Sequence, residues 1–394
     1  MRNTPYRWPV HDDSERRALL DVLDSGRWST TGPREAELAG ALADYLGVEH
    51  AVPVSSATTA LELALAALDL EPGDEVILPG LTRTAPARAV VVNGAVPVFA
   101  DIDAQTWCLD PDAVERAITD RTRGILVVHA YAQLADMERI LALAHRHQLF
   151  VVEDCAHVFG ARWNNRAAGS LGRIGCFDFE QSESPVAGTG GLVVTSDPGL
   201  ADRLYGLVHR GRRRRADAAW GFGGDHRITE FQAAVLQAQL RRVDDQIAVK
   251  ARQVAAFRAG LDTAAGITLH HPDPRVTRRN FVGLPLTIDT RRFGGVCTDL
   301  IVTALIAEGI PVSLPHPVAY REPTWVAGLR GYRDPQRLGL DARCPVSEQV
   351  AGAAGIVIAH EAFLGRWIET AHLLDALDKV RRLAATIPAH DIRR

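Results

Sequence analysis

Apolar positions near the start of the chain recur every three or four residues, the spacing of helices that bury one face. This pattern predicts helices in SERRALLDVLDSG (14–26) and PREAELAGALADYLG (33–47). From residue 51 onward, short apolar runs alternate with helical segments; the runs are AVPVSS, DEVILPG, VPVFADI, GILVVHAY and LFVVEDC. Strands that alternate with helices form βαβ units, so the pattern predicts an α/β fold with a mainly parallel sheet buried on both faces.

Two further apolar runs, CFDFE and GGLVVTS, complete a sheet of the seven-stranded type. A continuous helical pattern over 229–261 then leads to segments of mixed strand and helix character. We therefore predict an N-terminal segment (1–30), a large α/β domain (31–240), and a connecting helix with a small C-terminal α+β domain (241–394).

Composition narrows the function classes for this chain of 394 residues with a net charge of −4. Neither nucleic-acid nor membrane-surface binding is indicated, and no apolar run is long enough to span a bilayer. We interpret the single basic run, RGRRRR at 210–215, as a solvated loop or an arm that reaches a partner subunit. The five cysteines lack metal-ligand spacing, which predicts no metal site and a reduced, cytoplasmic setting.

Several segments in order carry a family resemblance: PGDEVILPG, GAVPVFADID, VVEDCAHVFGA, ARWNNRAAGSLG and HRITEFQAAVLQAQL. With them, the chain resembles the DegT/DnrJ/EryC1/StrS sugar aminotransferases, which are fold-type I enzymes that use pyridoxal phosphate. Within that family it is most similar in appearance to 3-amino-5-hydroxybenzoate synthases and scyllo-inosose aminotransferases. The resemblance implies a homodimer whose active sites lie at the subunit interface.

The resemblance also assigns candidate cofactor-binding positions. Asp154 matches the acid on the pyridine nitrogen, and His157 matches the residue that lies against the cofactor. The phosphate cradle corresponds to the start of a helix at Ala57 and Thr58, where free N–H groups and the helix dipole favour an anion.

Four further positions depart from the family pattern. Asp178 replaces the phosphate-binding serine, and Asp225 replaces an asparagine that reaches the phosphate from the partner subunit. Arg83 replaces the aromatic residue that stacks on the ring, and Glu183 replaces the catalytic lysine. A carboxylate cannot form the Schiff base that this lysine forms, so lysine-dependent transamination is excluded for this chain.

Three hypotheses follow. In the first, the chain is an enzyme of secondary metabolism that uses no cofactor and acts on a small polar substrate, with Glu183 or His157 as base and Arg83 holding a negative charge. In the second, it binds pyridoxamine phosphate and Glu183 is the base of a dehydratase-type reaction. In the third, it is a non-catalytic partner of an active aminotransferase paralogue. We favour the first, and so expect no cofactor.

Overall fold

A computed structural model describes residues 8–29, 32–212, 221–261, 266–270, 273–331, 338–365 and 368–386. Its main feature is a seven-stranded sheet in the order β1-β9-β8-β5-β4-β2-β3. The strands are β1 (His50–Val54), β2 (Glu75–Pro79), β3 (Val96–Ala100), β4 (Thr122–Val128), β5 (Phe150–Asp154), β8 (Ile174–Asp178) and β9 (Gly191–Thr195). β8, β5, β4, β2 and β3 pair in parallel, whereas β9 is antiparallel to both neighbours. The α/β fold with a mainly parallel sheet is confirmed.

Helices cover both faces of this sheet, so its strands are buried on both sides. The helices of the first part of the chain are α1 (Asp13–Ser25), α2 (Arg34–Leu46), α3 (Ala57–Ala66), α4 (Thr84–Val92), α5 (Pro111–Ala117), α6 (Met137–His147) and α7 (Pro198–Val208). One apolar core lies between the sheet and α2, α5 and α6. A second core lies on the opposite face, under α3, α4 and α7.

A third apolar core belongs to the C-terminal part of the chain. Its four-stranded antiparallel sheet, in the order β10-β12-β14-β13, contains β10 (Ile267–Leu269), β12 (Gly283–Ile288), β13 (Val312–Ser313) and β14 (Gly355–Ala359). The helices here are α10 (Thr298–Ala307), α11 (Pro323–Gly328), α12 (Pro345–Gln349) and α13 (Thr370–Ala384). A small third sheet joins β6 (Arg162–Trp163), β7 (Arg166–Ala167) and β11 (Val276–Arg278). The domain boundaries given above stay a prediction.

The single helix predicted over 229–261 is wrong, because this segment forms two helices, α8 (Glu230–Leu240) and α9 (Val243–Gly260). The break falls at Arg241 and Arg242. The guanidinium of Arg242 donates to the side chains of Asp12 and Glu15 at the start of α1. An apolar periodicity does not reveal such a break, because the hydrophobic spacing on either side is unchanged.

Among the helices that the structure describes, none is long and apolar enough to cross a membrane. The basic run predicted to form an arm is described only at Arg210 and Arg212 and the glycine between them, and 213–215 lie outside the described residues.

Candidate functional site

A cavity of about 160 Å³ lies where β4, β5 and β8 end and where α3 and α4 begin. The ends of parallel strands and the positive ends of helices meet there, as at ligand sites of other open α/β sheets. The lining side chains include all but one of the predicted site residues: Ala57, Thr58, Arg83, Asp154, His157, Asp178 and Glu183. The cavity is therefore the candidate active site.

Two aspartates mark the ends of adjacent strands in this cavity. Asp154 is buried, and its Oδ1 accepts a hydrogen bond of 3.2 Å from the backbone N–H of Ala156. Asp178 accepts one of 2.9 Å from the N–H of Glu180. Burial raises the pKa of each carboxyl group to about 6. Both aspartates therefore titrate close to neutral pH.

Glu183 lies in the loop between β8 and β9, with only 4% of its surface exposed. The hydroxyl of Ser182 donates to its Oε1 at 3.3 Å, while its Oε2 is buried without a hydrogen-bond partner among the described residues. Burial raises the pKa of Glu183 well above its ordinary value, and the nearby carboxylate of Asp178 raises it further. An unpartnered buried carboxyl oxygen is costly unless a ligand satisfies it.

Three aromatic rings pack together next to Glu183, and two of them, His157 and His316, line the cavity. The centroids of His157, Tyr131 and His316 are 5.0 to 5.1 Å apart. The Nδ1 atom of His157 accepts from the N–H of Tyr131 at 3.4 Å, so the proton of the neutral ring resides on Nε2, which lies 3.8 Å from Oε1 of Glu183. Burial lowers the pKa of His157 to about 4, with a contribution from Arg83, so this ring is neutral at pH 7.

Arg83 precedes α4 and is the positively charged group in the cavity wall. Its side chain is exposed and makes no hydrogen bond or ion pair within the part of the chain that the structure describes. The guanidinium lowers the pKa of Glu183, against the larger effect of burial. Arg83 is thus available to an anionic ligand.

The N-terminus of α3 forms the other end of the cavity. Ser56 caps this helix, since its hydroxyl accepts from the N–H of Thr59 at 3.2 Å. The N–H groups of Ala57 and Thr58 form no hydrogen bond with described residues, and both residues line the cavity. Gly191 on β9 passes so close beneath that a Cβ atom there would lie 2.4 Å from the carbonyl oxygen of Ser56. This is a preformed anion cradle.

Asp225 is the predicted site residue that lies elsewhere in the chain. It sits at the surface, bridged to His209, and accepts hydrogen bonds from the guanidinium groups of Arg210 and Arg227. Those two arginines hold its pKa well below the ordinary value. Asp225 therefore does not face the cavity of its own chain, and its predicted role in a partner's site stays a prediction.

Several residues in or next to the cavity were not predicted. Tyr131 packs against the lining residues His157 and His316 and was not singled out, although it follows β4 and so falls at the strand ends that the sheet rule favours. His316 is not among the residues that the sequence predicted, because its place against His157 arises from a contact between distant parts of the chain. Glu180 also lines the cavity and had no motif to mark it.

Lys250 is not among the predicted site residues, and the structure places it outside the cavity lining. It is nevertheless close behind the Glu183 loop. Its Nζ donates to Oδ1 of Asn280 at 2.5 Å, and Nδ2 of Asn280 donates to the carbonyl of Ser184 at 2.9 Å. The lysine therefore cannot take over the covalent role, but it contacts the same loop through Asn280.

Comparison with known proteins agrees with this architecture. A model of the DegT/DnrJ/EryC1/StrS aminotransferase family matches residues 9–355. A putative L-glutamine:3-amino-2,3-dideoxy-scyllo-inosose aminotransferase of Streptoalloteichus tenebrarius is 37% identical over 96% of each chain. The L-glutamine:2-deoxy-scyllo-inosose aminotransferase of Streptomyces kanamyceticus is 36% identical over 99% of this chain and 96% of its own.

Solved structures give the same result. The 3-amino-5-hydroxybenzoic acid synthase superposes with a TM-score of 0.85 at 29% identity, covering 97% of this chain and 98% of its own. DesV of S. venezuelae, solved in complex with a ketimine intermediate, has a TM-score of 0.80 at 32% identity, with 95% of each chain covered.

The expectation that this chain uses no cofactor is wrong, because the family and these structural neighbours are pyridoxal-phosphate-dependent aminotransferases. The polar groups of the cavity fit the amine form of the cofactor. The open N–H groups of Ala57 and Thr58 suit its phosphate, Asp154 suits a protonated ring nitrogen, and the unpartnered oxygen of Glu183 suits an ammonium group. They do not fit covalent attachment, because no lysine lines the cavity among the described residues.

Proposed function

Since this chain belongs to the DegT/DnrJ/EryC1/StrS aminotransferase family, we propose that it is an enzyme that binds pyridoxamine phosphate without a covalent bond and uses Glu183 as its base. The observation that carries this proposal is the buried Oε2 atom of Glu183, which has no partner among the described residues although it belongs to a carboxyl group in the cavity wall.

The charge of Glu183 suits the amine form rather than the aldehyde. An ammonium group would satisfy the orphaned oxygen and would offset the cost of burying a carboxylate. When bound, the cofactor supplies an amine and a conjugated ring that delocalises negative charge from a neighbouring carbon. Asp154, at the end of β5, would hold the ring nitrogen in its protonated state.

The chain's own residues would then manage one proton. Glu183 would accept it at a carboxylate oxygen, and burial makes that carboxylate a stronger base than an exposed one. His157 is neutral, and its Nε2 nitrogen lies 3.8 Å from Oε1 of Glu183, so a small approach of the ring would let it donate a hydrogen bond to the base. The rings of Tyr131, His157 and His316 pack against one another on this side of the cavity.

Asp178 is the feature that opposes binding of a phosphate dianion. A carboxylate next to a phosphate charge costs about 4 kcal/mol at 4 Å in surroundings of intermediate dielectric. The raised pKa of Asp178, about 6, lets it take up a proton when the phosphate arrives, which removes the repulsion. We therefore expect the repulsion between Asp178 and the phosphate to weaken as pH falls toward 6.

The substrate class follows from the relatives and from Arg83. Relatives over almost the full chain length are named as aminotransferases of scyllo-inosose compounds. We propose a small polyhydroxylated ketone or amino sugar of antibiotic biosynthesis as substrate, oriented through a polar or anionic substituent by the guanidinium of Arg83. A dehydratase-type reaction, in which the base removes a proton and a hydroxyl group leaves, is compatible with a carboxylate base and needs no lysine.

Calorimetric titration of the purified protein with pyridoxamine phosphate and with pyridoxal phosphate tests the proposal. We expect micromolar or tighter binding of the amine form and weaker binding of the aldehyde. Glu183→Gln should weaken amine binding at least tenfold, because the ammonium loses its counterion. Glu180→Gln, on the same cavity wall, is the matched control; it leaves the carboxylate of Glu183 in place and should change amine binding much less than Glu183→Gln does.

Other outcomes would count against this function. Equal affinity for both cofactor forms would contradict the pairing of Glu183 with an ammonium group. Failure to bind either form, together with an aminotransferase paralogue that copurifies in a fixed ratio, would favour the non-catalytic partner instead.

A further inference from the structure

Lys250 is a fully buried lysine on α9, in a chain that contains only one other lysine, Lys379. Among the described residues, no carboxylate lies within ion-pair distance of its Nζ, and its hydrogen bond goes to the neutral amide oxygen of Asn280. Burying an ammonium group beside a neutral partner is expensive. A nearby negative charge offsets this cost, so the role of Lys250 depends on the acids around it.

Two acids face Lys250 from different elements; Glu183 is buried, whereas the side chain of Glu361 is 21% exposed. Glu183 comes from the loop between β8 and β9, and Glu361 from the short 3₁₀ helix His360–Phe363 that follows β14. Each has an Oε2 atom without a hydrogen-bond partner among the described residues. Both acids raise the pKa of Lys250 against the stronger effect of burial, and Glu183 has the larger influence.

The other polar neighbours supply no negative charge. The pKa of His360 lies well below its ordinary value, first because of burial and then because of Lys250, so this ring is neutral. Ser184 and Gln246 form a neutral hydrogen bond of 3.3 Å beside the lysine. Glu183 also faces Asp178 and Glu180, which raise its pKa, and Arg83, which lowers it.

Asn280 connects the lysine to the loop mechanically. Its Nδ2 donates to the carbonyl of Ser184, directly after Glu183, and to the carbonyl of Phe159 at 2.9 Å. The amide is completely buried, so these bonds are not exchanged with water. Lys250 orients Asn280 by occupying its oxygen, which leaves the amide nitrogen to hold the loop.

We propose that Lys250 is a positioning residue for Glu183, fixing its loop through Asn280 and serving as the buried countercharge that favours the ionised carboxylate. This inference rests on the proposed function in one respect only, namely that ionisation of Glu183 makes it a better catalytic base. The contact of Lys250 with the Glu183 loop through Asn280 does not depend on the cofactor.

Because the chain has two lysines, lysine labelled with ¹³C at Cε gives a spectrum of two signals. Lys379, ion-paired with Glu308 on the surface, provides the reference signal. We expect the Lys250 signal to titrate near pH 7 in the full-length protein. Glu183→Gln should lower that midpoint by about one pH unit, since it removes an attractive charge. The matched variant Glu361→Gln should lower it less.

An unchanged Lys250 midpoint in Glu183→Gln, or a larger shift in Glu361→Gln, would overturn the proposal. The variants Glu183→Gln and Glu361→Gln leave Lys250 unchanged, so the result does not depend on whether a Lys250 variant folds. Lys250→Met should also move the pH profile of pyridoxamine phosphate binding to higher pH, and Lys250→Arg should restore it. If the midpoint shifts but no cofactor binds, the proposed function fails and the coupling stands.

Discussion

At the scale of single residues, position 183 decides which chemistry the cavity can support. If this position is equivalent to the covalent lysine of the family, then Glu183→Lys should restore covalent capture of pyridoxal phosphate. We expect an adduct that borohydride reduction makes permanent, detected by mass spectrometry of the intact chain and by the absorbance of the bound cofactor.

The control for that variant is Glu180→Lys, which places a lysine elsewhere on the same cavity wall. An equal yield of adduct from the control, or none from Glu183→Lys, would show that position 183 is not the covalent position. Lys250 should stay unmodified in both proteins, because its Nζ is bonded to Asn280 outside the cavity.

Asp178 gives a second residue-scale prediction, concerning stability. Burial raises its pKa from an ordinary 3.8 to about 6, so the folded protein binds this proton more tightly than the unfolded chain. The free energy of unfolding therefore falls as pH rises from about 4 through 6. Asp178→Asn should be more stable than the unmodified chain at pH 8, by roughly 1 to 3 kcal/mol, and equally stable at pH 4.

Chemical denaturation at both pH values measures this difference, with the exposed Asp24→Asn as the control for losing a carboxylate. A stability gain for Asp178→Asn that is the same at pH 4 and pH 8 would contradict ionisation as the cause.

The site residues at the ends of strands were predictable from the sequence, whereas the residues that pack around them were not. The family resemblance assigned Asp154 and Asp178, and the strand pattern agrees with it because each ends an apolar strand and parallel strands end at one edge. The sequence does not show what surrounds Asp225 in its own chain, because this carboxylate is bound by the guanidinium groups of Arg210 and Arg227. Nothing local to its own segment encodes that contact.

At the scale of secondary-structure elements, the close approach of β9 to the start of α3 shapes the anion cradle. Gly191→Ala would put a Cβ atom 2.4 Å from the carbonyl oxygen of Ser56 and 2.8 Å from the nitrogen of Ala57. The turn must shift to accommodate it, at a cost of roughly 1 to 3 kcal/mol. We expect a lower melting temperature and a loss of pyridoxamine phosphate affinity of at least tenfold.

Gly40→Ala on α2 is the comparison, since nothing lies within 4 Å of a Cβ atom at that position. This helical substitution should be neutral or stabilising, by up to about 1 kcal/mol. Unchanged cofactor affinity in Gly191→Ala would mean that the start of α3 does not hold the phosphate.

Element types were predictable from apolar spacing, whereas the relation between elements was not. The periodicity of 229–261 is helical throughout, yet the chain turns at Arg242, whose guanidinium bonds to the start of α1. That turn gives α9 its own direction after α8, and α9 carries Lys250, which contacts the Glu183 loop through Asn280. Lys250 and Glu183 are far apart in the sequence, and only the tertiary packing brings them close together.

At the scale of the whole molecule, the surface cluster of Asp225, Arg210 and Arg227 bears on how two copies assemble. The two guanidinium groups bond to the carboxylate and form part of the lining of a cavity of about 400 Å³ between α2 and α7. If a second copy covers this surface, the cluster would lie near the cofactor phosphate bound by that copy. The two arginines would then already balance the negative charge of Asp225. Asp225→Asn should then tighten pyridoxamine phosphate binding several-fold, because the arginines keep their positive charge while the negative charge is removed.

The same assembly predicts a dimer in solution, which light scattering coupled to size-exclusion chromatography measures directly. Arg227→Ala at this surface should weaken cofactor binding in the dimer, opposite in direction to Asp225→Asn. A monomer that binds pyridoxamine phosphate with undiminished affinity would show that each chain builds its cradle alone. In a dimer, the opposite signs of the two variants distinguish electrostatic help to a neighbour's phosphate from simple damage to the surface, because damage would lower affinity in both.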